Sequence, residues 1–306
     1  MRDILVIGSL NMDTVVRAPH IPATGETIIG SFVANMLGGK GANQACAAGR
    51  LGSSAAMLGL VGRDAFGEEL IAGLNRSNVD TSLIGRSEAP TGQALICVND
   101  DGNNAIIVLS NANGKCDVDR VRAYEHEIAA SRYIMLQMEI PEDAVMEAIR
   151  LSAKHGRGVI LNPAPAKQAL PTDILPLIDY LTPNETELSV LTGLPVNDPD
   201  EAAAAAKTLI AGGVKAVLAT LGSRGALYVT ADTVALYPAE KVKPVDTTAA
   251  GDTFNAAFAV RLAEGADIGE AIRFANTAAA ISVTRRGAQP SIPTREEVDR
   301  FYESDP

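Results

Sequence analysis

The chain has 306 residues, 47% hydrophobic and 21% charged, enough for one large domain or a domain with a small appendage. Its 26 basic and 37 acidic residues leave a net charge of −11, and such a field repels nucleic-acid backbones and anionic membranes alike. Three cysteines without CxxC spacing argue against a disulfide framework or a cysteine zinc cluster, and three histidines without HExxH against a histidine metal site. Met1-Arg2-Asp3 passes straight into an apolar strand too brief for a signal-peptide core, and no run of about 18 apolar residues occurs. The expectation is a cytoplasmic protein with neither nucleic-acid nor membrane partners.

In chain order, strands are expected at residues 3–8, 133–137, 158–162, 214–220 and 225–230, each a short β-branched run. Between them lie helix patterns. Asp64 precedes Phe66, Leu70, Ile71 and Leu74 on one face, the run Ala202 to Ala206 is good helix former, and Asp267-x-x-Glu270 opens a helix that stops near Gly287. Thr294-x-x-Glu297 opens the last helix in the same way. Alternating strands and helices with near-continuous apolar strands imply a doubly wound, mostly parallel α/β sheet.

Two stretches break the rhythm, residues 12–32 and 92–109, strand-like with turn signals at Pro19, Pro22, Gly25 and Asp101-Gly102 but no helix pattern. The second reads as a hairpin with Asp101-Gly102 at its tip. Together they suit a small sheet outside the main one, a lid over the carboxyl ends of the strands where ligands bind. The expected organisation is one domain, 1–306, with a β lid from about 12–36 and 91–110.

The strongest chemical signal is DTTAAGDTFNAAF, residues 246–258. Phe254, Ala257, Phe258 and Leu262 form an apolar stripe, so a helix should begin near Gly251 or Asp252. Ala249, Ala250 and Gly251 allow a tight turn, and amides converging at a helix N-terminus make an anion pocket. Asp252 at its edge reads equally as an N-cap or as a general base for a hydroxyl.

The remaining segments each carry two readings. GGKGANQA, residues 38–45, is not a GxxxxGK[ST] loop; its amides with Lys40 and Asn43 suit a hydroxylated ligand, and a tight turn with a solvated lysine is the plainer alternative. In SLNMD, residues 9–13, Asn11 and Asp13 offer donors and acceptors for neighbouring hydroxyls, or cap a turn. In PNETE, Asn184 and Glu187 stand three apart as a capping box or as a carboxylate for a metal-bound water. TLGSRGAL, residues 220–227, is a Gly-x-x-Gly turn that can touch phosphate or ribose, or merely join two strands.

Together GGKGANQA, TPNETE, TLGSRG, DTTAAGDTFN and VTRRGAQPS resemble the motifs of the ribokinase-like (phosphofructokinase-B type) sugar kinase family, in that family's order, from Asp3 to about Phe301. The resemblance implies ATP-dependent phosphorylation of D-ribose at O5, with Asp252 as base and Ala249, Ala250, Gly251 and Asp252 as the anion hole. It implies that Asn11, Asp13, Gly39, Lys40, Gly41, Asn43 and Glu139 (in LQMEIP) hold the ribose. Asn184, Thr220, Gly222, Ser223, Arg224, Gly225, Gly251 and Asn276 would contact ATP, and Glu187 would organise Mg²⁺ through water. A potassium site would draw on Asp246, Thr248, Ser282, Arg285, Gly287 and Ser291, and two copies would pair through their lid sheets. Two departures stand out: Asn276 where better-known members carry His, and NAN at 111–113 where GAN is usual.

The nearest rival is a kinase for another acceptor, such as deoxyribose, fructose or adenosine. A catalytically silent sugar or nucleotide sensor would be expected to lack Asp252 or Gly251, and both are present. A Rossmann dehydrogenase is disfavoured because Gly8-Ser9-Leu10 is not GxGxxG.

Overall fold

The computed structural model describes residues 1–304. Its first half runs β1 (Arg2–Ile7), β2 (Asn11–Arg17), β3 (Ser31–Gly38), α1 (Lys40–Arg50), β4 (Ala55–Gly62), α2 (Ala65–Arg76), β5 (Val79–Asp80), β6 (Ile84–Ser87), β7 (Gly92–Val98) and β8 (Asn104–Leu109). Then come α3 (Val118–Ala123), α4 (Glu125–Ala129), β9 (Ser131–Gln137), α5 (Glu142–Lys154), β10 (Gly158–Asn162), β11 (Tyr180–Leu181), α6 (Glu185–Thr192) and α7 (Pro199–Ala211). The chain closes with β12 (Ala216–Thr220), β13 (Ala226–Val229), β14 (Val234–Tyr237), α8 (Ala250–Glu264), α9 (Ile268–Val283) and α10 (Arg295–Ser304).

The main sheet has the order β14-β13-β12-β11-β10-β9-β1-β4-β5, with β6 also on β4. It is parallel from β12 to β5, and β13 and β14 join antiparallel at one edge. The alternation of β1 explains the two layers. Leu5 and Ile7 face a core with α5 and α7, Ile4 and Val6 face one with α1, α8 and α9, and all four are fully buried. This is the doubly wound α/β class that the strand pattern predicts.

The second sheet has the order β3-β2-β7-β8, with β2 parallel to β7 and the outer pairs antiparallel. Only residues 8–10 separate β1 from β2, which seats the small sheet at the carboxyl end of the main strands. The β7–β8 hairpin turns through 99–103, where Gly102 takes φ +85° and its amide donates to the Asn99 carbonyl at 3.0 Å.

Two expectations need correction. The helix opened by Asp267 stops at Val283, short of Gly287, and the chain turns to dock against the 245–248 loop: the amides of Val245 and Asp246 both donate to the Val283 carbonyl. The expected apolar stripe of α8 is also too narrow. Every residue from Asp252 to Val260 is buried, because α1 and α9 flank the helix and the sheet lies beneath it.

Candidate active site

The site forms where β1, β9, β10 and β12 end and α8 begins. Ala249, the residue before α8, adopts φ +61°, a left-handed turn that aims the first amides of the helix outward. Among the described residues nothing accepts from the amides of Gly251 and Asp252, and a Cβ on Gly251 would meet open space. Asp252 is not the N-cap. It is the third residue of α8, 6% exposed, and its carboxylate reaches across to α1: Asn43 Nδ2 donates to Oδ2 at 3.0 Å and Gln44 Nε2 to Oδ1 at 3.1 Å. Burial raises its pKa above the usual carboxylate value, with Glu139 adding and Lys40 and the two amides opposing.

The glycines of GGKG are required by close backbone approach. A Cβ on Gly39 would fall 2.7 Å from the Asn11 nitrogen, and one on Gly41 2.6 Å from that of Ser9. The turn therefore packs directly on the 8–11 segment, which brings Lys40 beside Asp252. The lysine is not the solvated one of the plainer alternative. Burial lowers its pKa, but the carboxylates of Asp252, Glu139 and Glu187 outweigh that and hold it above the ordinary value. Glu139 Oε2 accepts from Ser9 Oγ at 2.5 Å and from the Lys40 amide at 3.1 Å, locking strand β9's exit to the turn.

On the small-sheet side, Asp13 lies over Gly38, and burial, with Glu139 and Asp252 adding, pushes its carboxyl up to about 7. Asn11 is buried and held by Asn113, whose Nδ2 donates to Asn11 Oδ1 at 2.7 Å and whose Oδ1 accepts from the Leu10 amide at 2.9 Å. The neighbouring Asn111 takes φ +44°, which a glycine adopts with less strain. Asn11 and Glu139 line a cleft of about 440 Å³ under the small sheet.

A second compartment of about 180 Å³ lies between Lys40, Glu187, Thr220 and the 249–252 turn. It then opens into a third compartment of about 410 Å³ between Gly222, Ser223 and Gly225 on one side and Val242, Pro244, Ala279, Ala280 and Val283 on the other. Asn184, Thr220, Ala250 and Gly251 border both, so the two are continuous. A narrow channel at the 249–252 turn thus opens into a slot lined largely by apolar side chains.

Asn184 and Glu187 do form a capping box, Glu187 N to Asn184 Oδ1 at 2.8 Å and Asn184 N to Glu187 Oε2 at 2.9 Å, yet both also line the channel. Burial raises the Glu187 pKa, with the Asn184 amide and Lys40 opposing. Asn276 lines the slot and spends its NH₂ on the carbonyls of Tyr237 and Pro238, at 3.1 and 3.0 Å. Arg224 is the expected contact whose side chain goes elsewhere: its guanidinium bonds Glu185 and the Asn197 carbonyl, both at 2.8 Å.

Outside the channel, Asp246 ties two segments together. Oδ1 accepts from the Thr248 amide and hydroxyl at 2.9 and 2.7 Å, and Oδ2 from the Gly287 amide at 2.9 Å. Burial opposes these donors without overcoming them, and the carboxyl stays below its usual pKa. Ser282 and Ser291 are buried nearby, and Arg285 forms a two-point ion pair with Glu297.

The profile of the pfkB family of carbohydrate kinases matches residues 1–295. The chain belongs to the pfkB carbohydrate kinase family. Among its pfkB relatives, the ribokinase of Haemophilus influenzae is 41% identical over 303 residues, 99% of each chain, and that of Schizosaccharomyces pombe 43% over 313, 99% of this chain and 98% of the other. A deoxyribokinase of Salmonella typhi is 36% identical over 300 residues, 98% of each. The structure of Arabidopsis thaliana ribokinase complexed with ribose and ATP superposes with a TM-score of 0.91, at 34% identity over 98% of each chain. Gln44, Gln137, Asn113 and Asn162 receive no role from the sequence alone, although Gln44 and Asn113 lie inside family motifs. Their signal is polarity at buried positions, which needs the fold to be seen.

Proposed function

We propose that this protein is an ATP-dependent ribokinase, moving the γ-phosphoryl group of ATP to O5 of D-ribose. The observation that carries this reading is Asp252, which stands at the junction between a hydroxyl-binding cluster and the anion nest of α8. Asn11, Asp13, Lys40, Asn43 and Glu139 surround the sugar. O5 attacks the γ-phosphorus as the bond to the bridging oxygen breaks, and Asp252 takes the hydroxyl proton. The amides of the 249–252 turn receive the phosphoryl charge, and Asn184, Thr220, Gly222, Ser223, Gly225 and Asn276 hold ATP. Closure of the small sheet over the cleft, as a lid on a single domain, keeps water from competing as acceptor.

The charge balance supports a divalent cation. Lys40 faces Glu139, Glu187 and Asp252, so the protein alone does not neutralise a polyphosphate. A Mg²⁺ ion that keeps most of its waters needs few direct protein ligands. Glu187, its oxygens already bonded to Asn184, would hold such a water. When bound, Mg²⁺ supplies neutralisation of the phosphate oxygens.

We extend the proposal to a potassium ion at the Asp246 loop, using the Asp246 carboxylate, carbonyls of Thr248, Ser282, Arg285 and Gly287, and the Ser291 hydroxyl. The loop leads directly into the anion turn, so a cation there would stiffen it. The exposed Phe32, Leu95 and Ile107 on the small sheet support a homodimer through the lids. The free thiols of Cys46, Cys97 and Cys116 suit the cytoplasm, and among the described residues no helix is long and apolar enough to cross a membrane. The test is ADP release across a panel of pentoses, hexoses and nucleosides. Ribose should give the highest kcat/KM; a higher value for deoxyribose, fructose or adenosine would overturn the assignment.

A further inference from the structure

Behind Asp252 runs a chain of buried amides, Gln44, Gln137 and Asn162, of which only Asn162 borders the channel. Gln44 is fully buried on α1, and its whole amide is engaged. Nε2 donates to Asp252 Oδ1 at 3.1 Å and to Asn162 Oδ1 at 3.3 Å, and Oε1 accepts from Gln137 Nε2 at 2.6 Å. Asn162, the last residue of β10, donates in turn to the main-chain carbonyl of Thr182 at 3.0 Å.

The direction of this chain follows from what each group can do. A carbonyl only accepts, so Thr182 commits Asn162 to turn its NH₂ that way and its oxygen toward Gln44. That oxygen requires the Gln44 NH₂, which therefore also faces Asp252, and the Gln44 oxygen is left for Gln137. A Cβ on Gly8 would fall 2.1 Å from Gln137 Oε1, so the bare glycine at the end of β1 is what lets Gln137 lie there. Neither glutamine lines any of the three compartments.

We propose that Gln44 is a positioning residue for Asp252, its amide locked by Asn162 and Gln137 so that it presents only N–H to that carboxylate. The proposal rests on Asp252 being the base in a ribokinase. A reversed amide would set oxygen against oxygen and disfavour the ionised base. The locked donor fixes the carboxylate plane and favours the form able to take the O5 proton. Lys40, Asp13, Glu139 and Glu187 also act on this carboxylate, and all four are unchanged when Gln44 alone is replaced.

The test compares wild type, Gln44→Met and Gln137→Met by kcat against pH, with ribose and ATP, each also in an Asp252→Asn background. Gln44→Met should lower kcat at neutral pH about tenfold and move the acidic limb up by roughly one to two pH units, the scale of one hydrogen bond to a charge. The ribose KM should stay within about twofold, and the loss should vanish in the Asp252→Asn background, where there is no carboxylate to position. Gln137→Met, which keeps Gln44 and its tie to Asn162, should shift the limb in the same direction by less, and it decides the matter if Gln44→Met does not fold. An unmoved limb, or an equal loss in both backgrounds, would overturn the proposal. Failure of the wild type to phosphorylate ribose would instead count against the assigned reaction.

Discussion

Asn113 donates its NH₂ to Asn11 Oδ1 at 2.7 Å, so a residue from the turn after β8 decides which atom Asn11 offers the acceptor. With Oδ1 occupied, Asn11 presents its own NH₂ to the cleft, while Asp13 beside it presents acceptors. That pairing suits a sugar with adjacent hydroxyls, one accepting and one donating.

Asn113→Ala should therefore behave like Asn11→Ala. Both should raise the ribose KM about tenfold or more, the cost of an unpaired buried polar group, with a smaller effect on kcat. For 2-deoxyribose both variants should cost less, because the wild type already lacks a partner for the missing hydroxyl. Steady-state kinetics with the two sugars decides it; equal losses for both would show that neither asparagine reads that position.

Asp13 couples the site to stability. Its carboxyl is raised from the ordinary 3.8 to about 7, so the folded state binds the proton more tightly than the unfolded one. By linkage, the contribution of Asp13 to stability declines as pH rises from 3.8 to 7 and stays unfavourable above. Asp13→Asn should therefore raise Tm at pH 8, with the gain shrinking as pH falls toward 4. Ribose affinity of the wild type should strengthen through pH 7, as the ionised carboxylate becomes available to a hydroxyl. A Tm difference independent of pH would place the effect elsewhere.

Much of this was legible before folding. The β1 run, the capped α2 and the DTTAAGDTFN turn declare themselves by period, cap and small residues, and the structure puts α8's start within two residues of the expected place. Strand β4 does not declare itself. Its sequence AAMLGLVG has one β-branched residue and continues the small-residue texture of α1, and Gly59 is there because Leu10 and the Gly8 carbonyl press against it. Lys40 and Asn43 could be read from their motif, but Gln44 could not, since its meaning lies in Gln137 and Asn162, each about a hundred positions away. Arg224 shows the converse: a residue inside a matching motif whose side chain serves Glu185 instead of the channel.

Potassium replaced by sodium or a bulky organic cation, at fixed Mg²⁺ and ionic strength, should reduce kcat several-fold with little change in the ribose KM. Asp246→Asn should remove that dependence, since it carries the only charge proposed for the cage. Rates that ignore the cation would refute the site.

Leu95 and Ile107 are cross-strand partners on the small sheet, both exposed, on the face opposite the cleft-lining Val108. The double substitution Leu95→Asp with Ile107→Asp should convert a dimer to a monomer in sedimentation measurements while leaving the fold intact by circular dichroism. A wild type already monomeric at tens of micromolar would contradict the lid-to-lid dimer.

Asp252→Asn keeps the size of the side chain and removes its basicity, so it separates a general base from a structural carboxylate. Turnover with ribose and ATP should fall by roughly 10²–10⁴, the scale for losing a general base, while calorimetry shows ribose and ATP still bound. Near-normal turnover by that variant would return Asp252 to a structural role at the start of its helix.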